Sequence, residues 1–241
     1  MAVDGDETTA RGAASAAQGF MALPGRTEDG RQLFLRCLAD VIRVLSLDVA
    51  PEPDAGDERQ WSRHVRGALR KACRQEPELP EASFGVLMKA AVHDPDPSFN
   101  RQFVEPALHA FGYRRVRSAL LDCLRTGTDL ERAGAARAWY WSALPLRPSG
   151  VGAEGSDIGG QAEAAAADDR SVLVGEWHEA ALREFVRNEH LDVRRCILPG
   201  LPLRKSAYPP ELHDVVEAAV MIARSHPDEY IRHRVEHQVR G

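Results

Sequence analysis

The chain has 241 residues, of which 44% are hydrophobic and 28% charged, and its formal net charge is -5. This composition excludes a wholly disordered chain, because such chains combine few apolar residues with a large net charge. The acidic balance also argues against a surface tuned as a whole to nucleic acid or anionic lipid, while a local basic face is compatible with it.

The sequence predicts neither export nor membrane insertion. No stretch approaches the roughly 20 apolar residues that span a bilayer. The first residues include Asp4, Asp6 and Glu7, where a secretory signal has a basic segment. The four cysteines form no C-x-x-C pair, so we expect reduced thiols in helical cores. We therefore expect a cytoplasmic protein without membrane partners.

Helical periodicity begins near Arg31, after residues 1–28, whose Ala, Gly, Thr and Asp content predicts a disordered tail. Two amphipathic helices separated by the Pro- and Gly-containing segment 48–57 are predicted within residues 29–79. A third helix is predicted to end at residues 93–98 (HDPDPS), where aspartates and prolines indicate a capped turn into a new helix.

The helical pattern continues through the rest of the chain. Gly112 is predicted to end one helix, and Gly127-Thr128-Asp129 to start another. Residues 145–170 are rich in Gly, Ala, Ser and acidic residues, which predicts a disordered insertion between the helical segments 80–144 and 171–241. No segment alternates with period two, so the predicted fold is all-α.

Four turn-to-helix starts recur, at Asp94, Thr128, Glu189 and His226, and the intervals between them are 34, 61 and 37 residues. Without the 26-residue insertion, the middle interval is 35 residues. Periods in the mid-thirties are typical of solenoids built from helix pairs.

Each start has an aspartate near the beginning of the helix and an arginine close to it. The matching residues are Asp94, Asp96 and Arg101; Asp129 and Arg132; Asp192, Val193 and Arg194; Asp228, Ile231 and Arg232. With this pattern, residues 80–241 resemble the HEAT-repeat family of armadillo-like helical proteins.

The resemblance implies a right-handed α-solenoid of antiparallel helix pairs, in which Asp and Arg residues form a ladder between neighbouring turns. Residues 29–79 would then be an N-terminal helical pair that caps the stack. The implied function is that of a non-catalytic scaffold or adaptor, which binds a protein or peptide on its surface. No cofactor is expected.

A line of arginines is the sharpest surface feature of the sequence. Arg59, Arg63, Arg66, Arg70 and Arg74 follow spacings of 4, 3, 4 and 4, which predicts one stripe along a helix. Such a stripe would suit phosphates or an acidic peptide, because arginine binds their oxygens bidentately. The alternative interpretation is a solvated basic face.

Three tryptophans, Trp139, Trp141 and Trp177, flank the insertion together with Tyr140. In a helical stack they would fall on adjacent units and would form either part of the core or an aromatic wall for a ligand.

Two further patterns are weaker. His233 and His237 lie four residues apart and share a helix face, but a metal site needs a third positioned ligand, so we predict no metal. Residues 150–155 read G-x-G-x-x-G within a low-complexity segment, where no strand precedes them and no helix follows to hold a pyrophosphate. No other motif indicates an enzyme.

The alternative function is nucleic-acid binding, as in the bacterial alkylpurine DNA glycosylases, which are also built from HEAT-like helices. The cleft of those enzymes depends on an acidic residue among aromatics. In this chain we expect Asp129 with Trp139 and Trp141 to be the neighbourhood that could imitate it.

Overall fold

The structure is a computed structural model, and it describes residues 28–76, 78–144, 171 and 173–240. All of the predicted tail except Glu28, the whole predicted insertion and the G-x-G-x-x-G sequence lie outside the described residues. Within the described ranges the chain is helical and contains no strand, which confirms the all-α prediction.

Nine α-helices are present in these ranges. They are α1 (Glu28–Val44), α2 (Glu58–Gln75), α3 (Ser83–His93), α4 (Arg101–Thr126), α5 (Asp129–Ser142), α6 (Val174–Arg187), α7 (Leu191–Ile197), α8 (His213–Ser225) and α9 (Glu229–Arg240). Short 3-10 turns at Leu198–Gly200, Lys205–Ala207 and Pro210–Leu212 join α7 to α8. None of the described helices is both long and apolar enough to cross a bilayer.

The breaks predicted from Gly, Asp and Pro are confirmed. Gly112 has φ 78° and ψ 162°, so it divides α4 into two helical stretches at a position that strongly favours glycine. The Thr128 side chain accepts a hydrogen bond from the Glu131 N–H and begins α5 as a capping box. The helices on either side of residues 94–98 and 188–190 end and begin where the sequence pattern indicates.

One connected cluster of buried apolar side chains runs through all nine helices, so the helical pair α1–α2 shares its core with the rest of the chain. Helix α3 packs against α1, α4 and α5, and α5 also packs against α4 and α7. Helix α6 lies against α4 and α8, and α8 lies against α9. Helix α5 therefore connects the N-terminal and C-terminal parts of the fold.

Three ion pairs each join an arginine within a helix to an aspartate at a later turn or helix start. The pairs are Arg66–Asp94 (2.6 Å), Arg137–Asp192 (3.8 Å) and Arg195–Asp228 (2.9 Å). In addition, Arg137 donates to the carbonyl oxygen of Asp94 at 3.4 Å, so its side chain touches two turns. These contacts hold the turn after α3, the start of α7 and the turn before α9 against neighbouring helices.

The prediction that Arg101, Arg132, Arg194 and Arg232 pair with these aspartates across turns was wrong, whereas Asp94, Asp192 and Asp228 of the repeat pattern do form ion pairs with other arginines. Arg101 pairs with Glu105, Arg132 with Asp129 and Glu184, Arg194 donates to the Phe185 carbonyl, and Arg232 donates to the carbonyls of His226 and Pro227. Arg101 and Arg132 thus have acceptors within four residues, and Arg232 has acceptors in the turn just before its helix. The helical backbone brings such local acceptors close.

Candidate functional site

A groove of about 740 Å³ opens between the C-terminal half of α5, the turn after α3, and helices α6, α7 and α9. We call it the aromatic groove. Its aromatic lining consists of Trp139, Tyr140, Trp141, Trp177 and Tyr230. The volume lies within the roughly 300–1,000 Å³ that is common for ligand sites.

A stacked pair of indoles forms the floor of the aromatic groove. The rings of Trp139 on α5 and Trp177 on α6 are parallel within 4°, and their centroids are 4.1 Å apart. Both side chains are buried. The stack therefore belongs to the hydrophobic core, as one of the two sequence interpretations predicted, and it also lines the groove.

The rim of the groove carries aromatic side chains that solvent reaches. Trp141 is half-buried, and its indole N–H donates to the carbonyl oxygen of Pro97 at 2.8 Å. The guanidinium of Arg101 lies 5.2 Å from the Trp141 ring centroid. Tyr140 is 50% exposed and meets the Trp141 ring edge to face. Trp141 is therefore held in one orientation while part of its surface stays accessible.

A polar cluster lies among these aromatics, formed by Arg137, Asp192 and Cys196. Nη1 of Arg137 is 3.8 Å from Oδ2 of Asp192, which is an ion pair but too long for a hydrogen bond. The Cys196 thiol lies 3.4 Å from Arg137 Nη1 and 3.5 Å from Asp192 Oδ1. Within the described part of the chain, Arg137 Nε and Asp192 Oδ2 are buried and have no hydrogen-bond partner.

Burial raises the pKa of the Cys196 thiol to about 12. The thiol is therefore protonated near neutral pH, and a protonated thiol is a poor nucleophile. In this cluster Cys196 acts as a weak donor to Asp192. The groove offers ring stacking and hydrogen bonding to a ligand.

Two more arginines line the groove, Arg195 on α7 and Arg234 on α9. Arg195 pairs with Asp228. For Arg234 the described residues provide neither a hydrogen bond nor an ion pair, and its Nε is buried. The groove therefore carries a guanidinium whose charge is not balanced by a direct partner in the described structure.

The predicted arginine stripe is not one accessible line, because Arg66 is buried against Asp94 while the other four arginines are exposed. Arg59 and Arg63 line a second cavity of about 530 Å³, which they share with Phe99. Arg70 donates to the Gln102 side chain at 3.1 Å. The stripe thus divides into one buried residue and separate exposed groups.

The acidic residue among the tryptophans is Asp192, and the prediction of Asp129 for this place was wrong. Asp129 begins α5, where it accepts hydrogen bonds from Asn188 at 2.7 Å and Arg132 at 3.3 Å. The hydrogen bond from Asn188 is the largest cause that lowers the pKa of Asp129. Asp129 does not line the aromatic groove.

His233 and His237 meet on the exposed face of α9, with their Nε2 atoms 3.2 Å apart. Within the described ranges, no cluster of three or more His, Cys, Asp or Glu side chains is arranged to hold a metal ion.

Sequence reasoning missed Arg137, Asp192 and Arg234 as groove residues. A partial signal was present, since Arg137 and Trp141 lie four residues apart on α5 and therefore share a face. The meeting of that face with α7 and α9 is a tertiary contact, which spacing does not show. No protein-family model, curated protein or solved structure matches this chain.

Proposed function

We propose that this chain is a non-catalytic scaffold or adaptor that binds a segment of a partner protein in the aromatic groove. The observation that carries the proposal is the combination, in one groove, of accessible aromatic side chains with an arginine, Arg234, whose charge has no direct partner among the described residues. Tryptophan, tyrosine and arginine are the residues most enriched at the energetic centres of protein interfaces.

A HEAT-like architecture is part of this proposal: a right-handed α-solenoid of antiparallel helix pairs, as in armadillo-like proteins. The ion pairs Arg66–Asp94, Arg137–Asp192 and Arg195–Asp228 support it, because their aspartates recur at the turns or helix starts of the repeat pattern and each is tied to an earlier helix. Solenoids hold extended surfaces rigid, and a rigid groove loses little conformational entropy when it binds.

The chemistry of the groove supports binding rather than catalysis. Its thiol, Cys196, is protonated near neutral pH, and its carboxylate, Asp192, is paired with Arg137. A cytoplasmic location fits the same proposal. The four cysteines are free thiols, and burial raises the pKa of each one, which suits a reducing compartment.

The second candidate is nucleic-acid binding. The observation that favours it is the position of Asp192 among aromatic side chains and three groove arginines, since bases stack on aromatic rings and arginine binds phosphate. The net charge of -5 weighs against it, because nucleic-acid binding draws most of its affinity from basic surfaces.

Site-specific photo-crosslinking tests the proposal in the cells that encode the chain. Tyr140→benzoylphenylalanine places a crosslinker on the groove rim, where half of the native side chain is exposed. Met221→benzoylphenylalanine is the matched control, because Met221 is 67% exposed on α8 and does not line the groove.

We expect a protein adduct from position 140 that position 221 does not give and that nuclease treatment leaves intact. Identical adducts from both positions would reject the groove as the binding site. An adduct that nuclease removes would replace the proposal with the nucleic-acid alternative.

A further inference from the structure

We infer that the segment which occupies the aromatic groove carries a carboxylate next to an aromatic or large aliphatic side chain, and that Arg234 binds this carboxylate. The inference rests on the proposed function and names the chemistry of the partner. It follows from the charges that line the groove and from the position of the indoles.

Among the described residues, one cation of the groove has no direct partner. The lining contains three arginines, Arg137, Arg195 and Arg234, and one carboxylate, Asp192. Arg137 pairs with Asp192, and Arg195 pairs with Asp228 from the turn before α9. Arg234 is left without an acidic partner among the described residues, so the groove favours an anion over a cation.

The guanidinium of Arg234 is the group that we expect to bind the carboxylate. Its Nε is shielded from solvent and has no acceptor in the described structure. The side chain nevertheless lines the groove, where an arriving carboxylate would gain a charge-assisted hydrogen bond to a guanidinium that has no acidic partner among the described residues. A guanidinium also matches the two oxygens of a carboxylate, which gives the contact a defined geometry.

The apolar side chain of the partner segment is expected to bind the aromatic side chains of the groove rim. Trp141 is fixed by its hydrogen bond to Pro97 and meets Tyr140, and Tyr230 lines the same groove with part of its surface accessible. An aromatic or aliphatic side chain gains ring contacts there without a need to reorganise the protein. Tyr230 and Arg234 lie four residues apart on α9 and line the same cavity, so we expect the carboxylate and the apolar side chain on neighbouring residues of the partner.

Selection from a random-peptide phage library tests the inference without requiring the partner to be identified first. The full chain is used as wild type, as Arg234→Gln and as Arg36→Gln. Arg36 is an exposed arginine on α1, outside the groove, and controls for the loss of one positive charge. Trp141→Ala serves as the groove-blocked variant, and thermal unfolding verifies that each variant is folded.

We expect peptides with Asp or Glu beside Phe, Trp or Leu to be enriched on wild type and on Arg36→Gln, but not on Arg234→Gln. The best peptide is then synthesised with its acidic residue and with the corresponding amide. On wild type the amide form should bind about tenfold more weakly, and on Arg234→Gln the two forms should bind equally. This comparison on wild type holds even if Arg234→Gln does not fold.

Two outcomes would overturn the inference, and they differ in what they say about the proposed function. Apolar peptides without a carboxylate that bind wild type and Arg234→Gln equally would reject the role of Arg234, while groove binding would stand. If no peptide binds wild type better than Trp141→Ala, binding of a protein segment in the groove fails, and the inference fails with it.

Discussion

Arg66 on α2 donates from Nη2 to Oδ2 of Asp94, 2.6 Å away, and the two side chains are only 9% and 0% exposed. The guanidinium lies 5.0–5.8 Å from the ring centroids of Phe34, Phe99 and Phe103. Burial is the largest influence on Asp94 and raises the pKa of its carboxyl, while Arg66 opposes that shift. The pair therefore anchors the turn after α3 to α2 in a largely apolar setting.

Arg66→Ala should lower the free energy of unfolding by about 3–5 kcal/mol, because it leaves the Asp94 carboxylate buried without its cation. Arg63→Ala removes an exposed arginine from the same helix and should change stability by less than about 0.5 kcal/mol. Urea denaturation measures both values. Equal effects of the two substitutions would show that the buried pair does not anchor the turn.

Substitutions of two groove tryptophans should have different effects, one mainly on stability and the other mainly on binding. Trp139→Ala removes a buried ring that stacks on Trp177, and we expect a loss of about 3–5 kcal/mol. Trp141 is half-buried, so Trp141→Ala should cost less, yet it should abolish the crosslink from position 140. Urea denaturation measures the stability of both variants, and the yield of the crosslinked adduct measures binding. If a folded Trp141→Ala variant still gave the full crosslink from position 140, Trp141 would not be part of the binding surface.

Local signals predicted the helix boundaries well. The prolines and aspartates at residues 94–98, the glycine at Gly112 and the Ser-His-Pro-Asp turn before α9 all change backbone conformation through their own chemistry. These positions could be found in the sequence because the cause of each break is confined to a few residues.

The candidate site depends on contacts that local patterns do not contain. The spacing of Arg66 predicted an exposed stripe, but its burial is due to Asp94, 28 residues further on. Trp139 and Trp177 stack although residues 145–170 separate them in the sequence. The repeat pattern marks Asp192 only as a repeat position, because its place in the groove requires α5 and α7 to pack together. Composition and periodicity do not predict which distant segments of the chain pack together.

The close approach of α5 to α3 depends on the missing side chain of Gly134. A Cβ atom at this position would lie 1.9 Å from the Val92 carbonyl oxygen, so Gly134→Ala must push the two helices apart. We expect a loss of about 1–3 kcal/mol or more in the free energy of unfolding, as for other overpacked sites.

Gly67→Ala is the matched control in the middle of α2, where an added Cβ meets no atom within 4 Å. Because alanine is the better helix former, this change should stabilise the protein by about 0.5–1 kcal/mol. The two values come from urea denaturation curves measured side by side. A neutral Gly134→Ala would mean that α3 and α5 adjust to the extra carbon.

The capping box at the start of α5 should make stability depend on pH. The Thr128 N–H donates to the Glu131 carboxylate at 2.8 Å, and this hydrogen bond is the main cause that lowers the pKa of Glu131 below its ordinary value of 4.5. A carboxyl with a depressed pKa stabilises the fold above its unfolded pKa, and the contribution is lost as the pH falls through the folded pKa.

Glu131→Gln should therefore be less stable than wild type near neutral pH, and the difference should shrink as the pH falls from the ordinary value of 4.5 through the lowered pKa of folded Glu131. Thr128→Ala should cost about 1 kcal/mol near neutral pH, because it removes the acceptor of the Glu131 N–H. Thermal unfolding across the acidic range measures both, with Glu211→Gln as an exposed control for the loss of one negative charge. A constant difference between wild type and Glu131→Gln at every pH would contradict the capping role, because a side chain that stabilises α5 only as a carboxylate must lose that contribution once it is protonated.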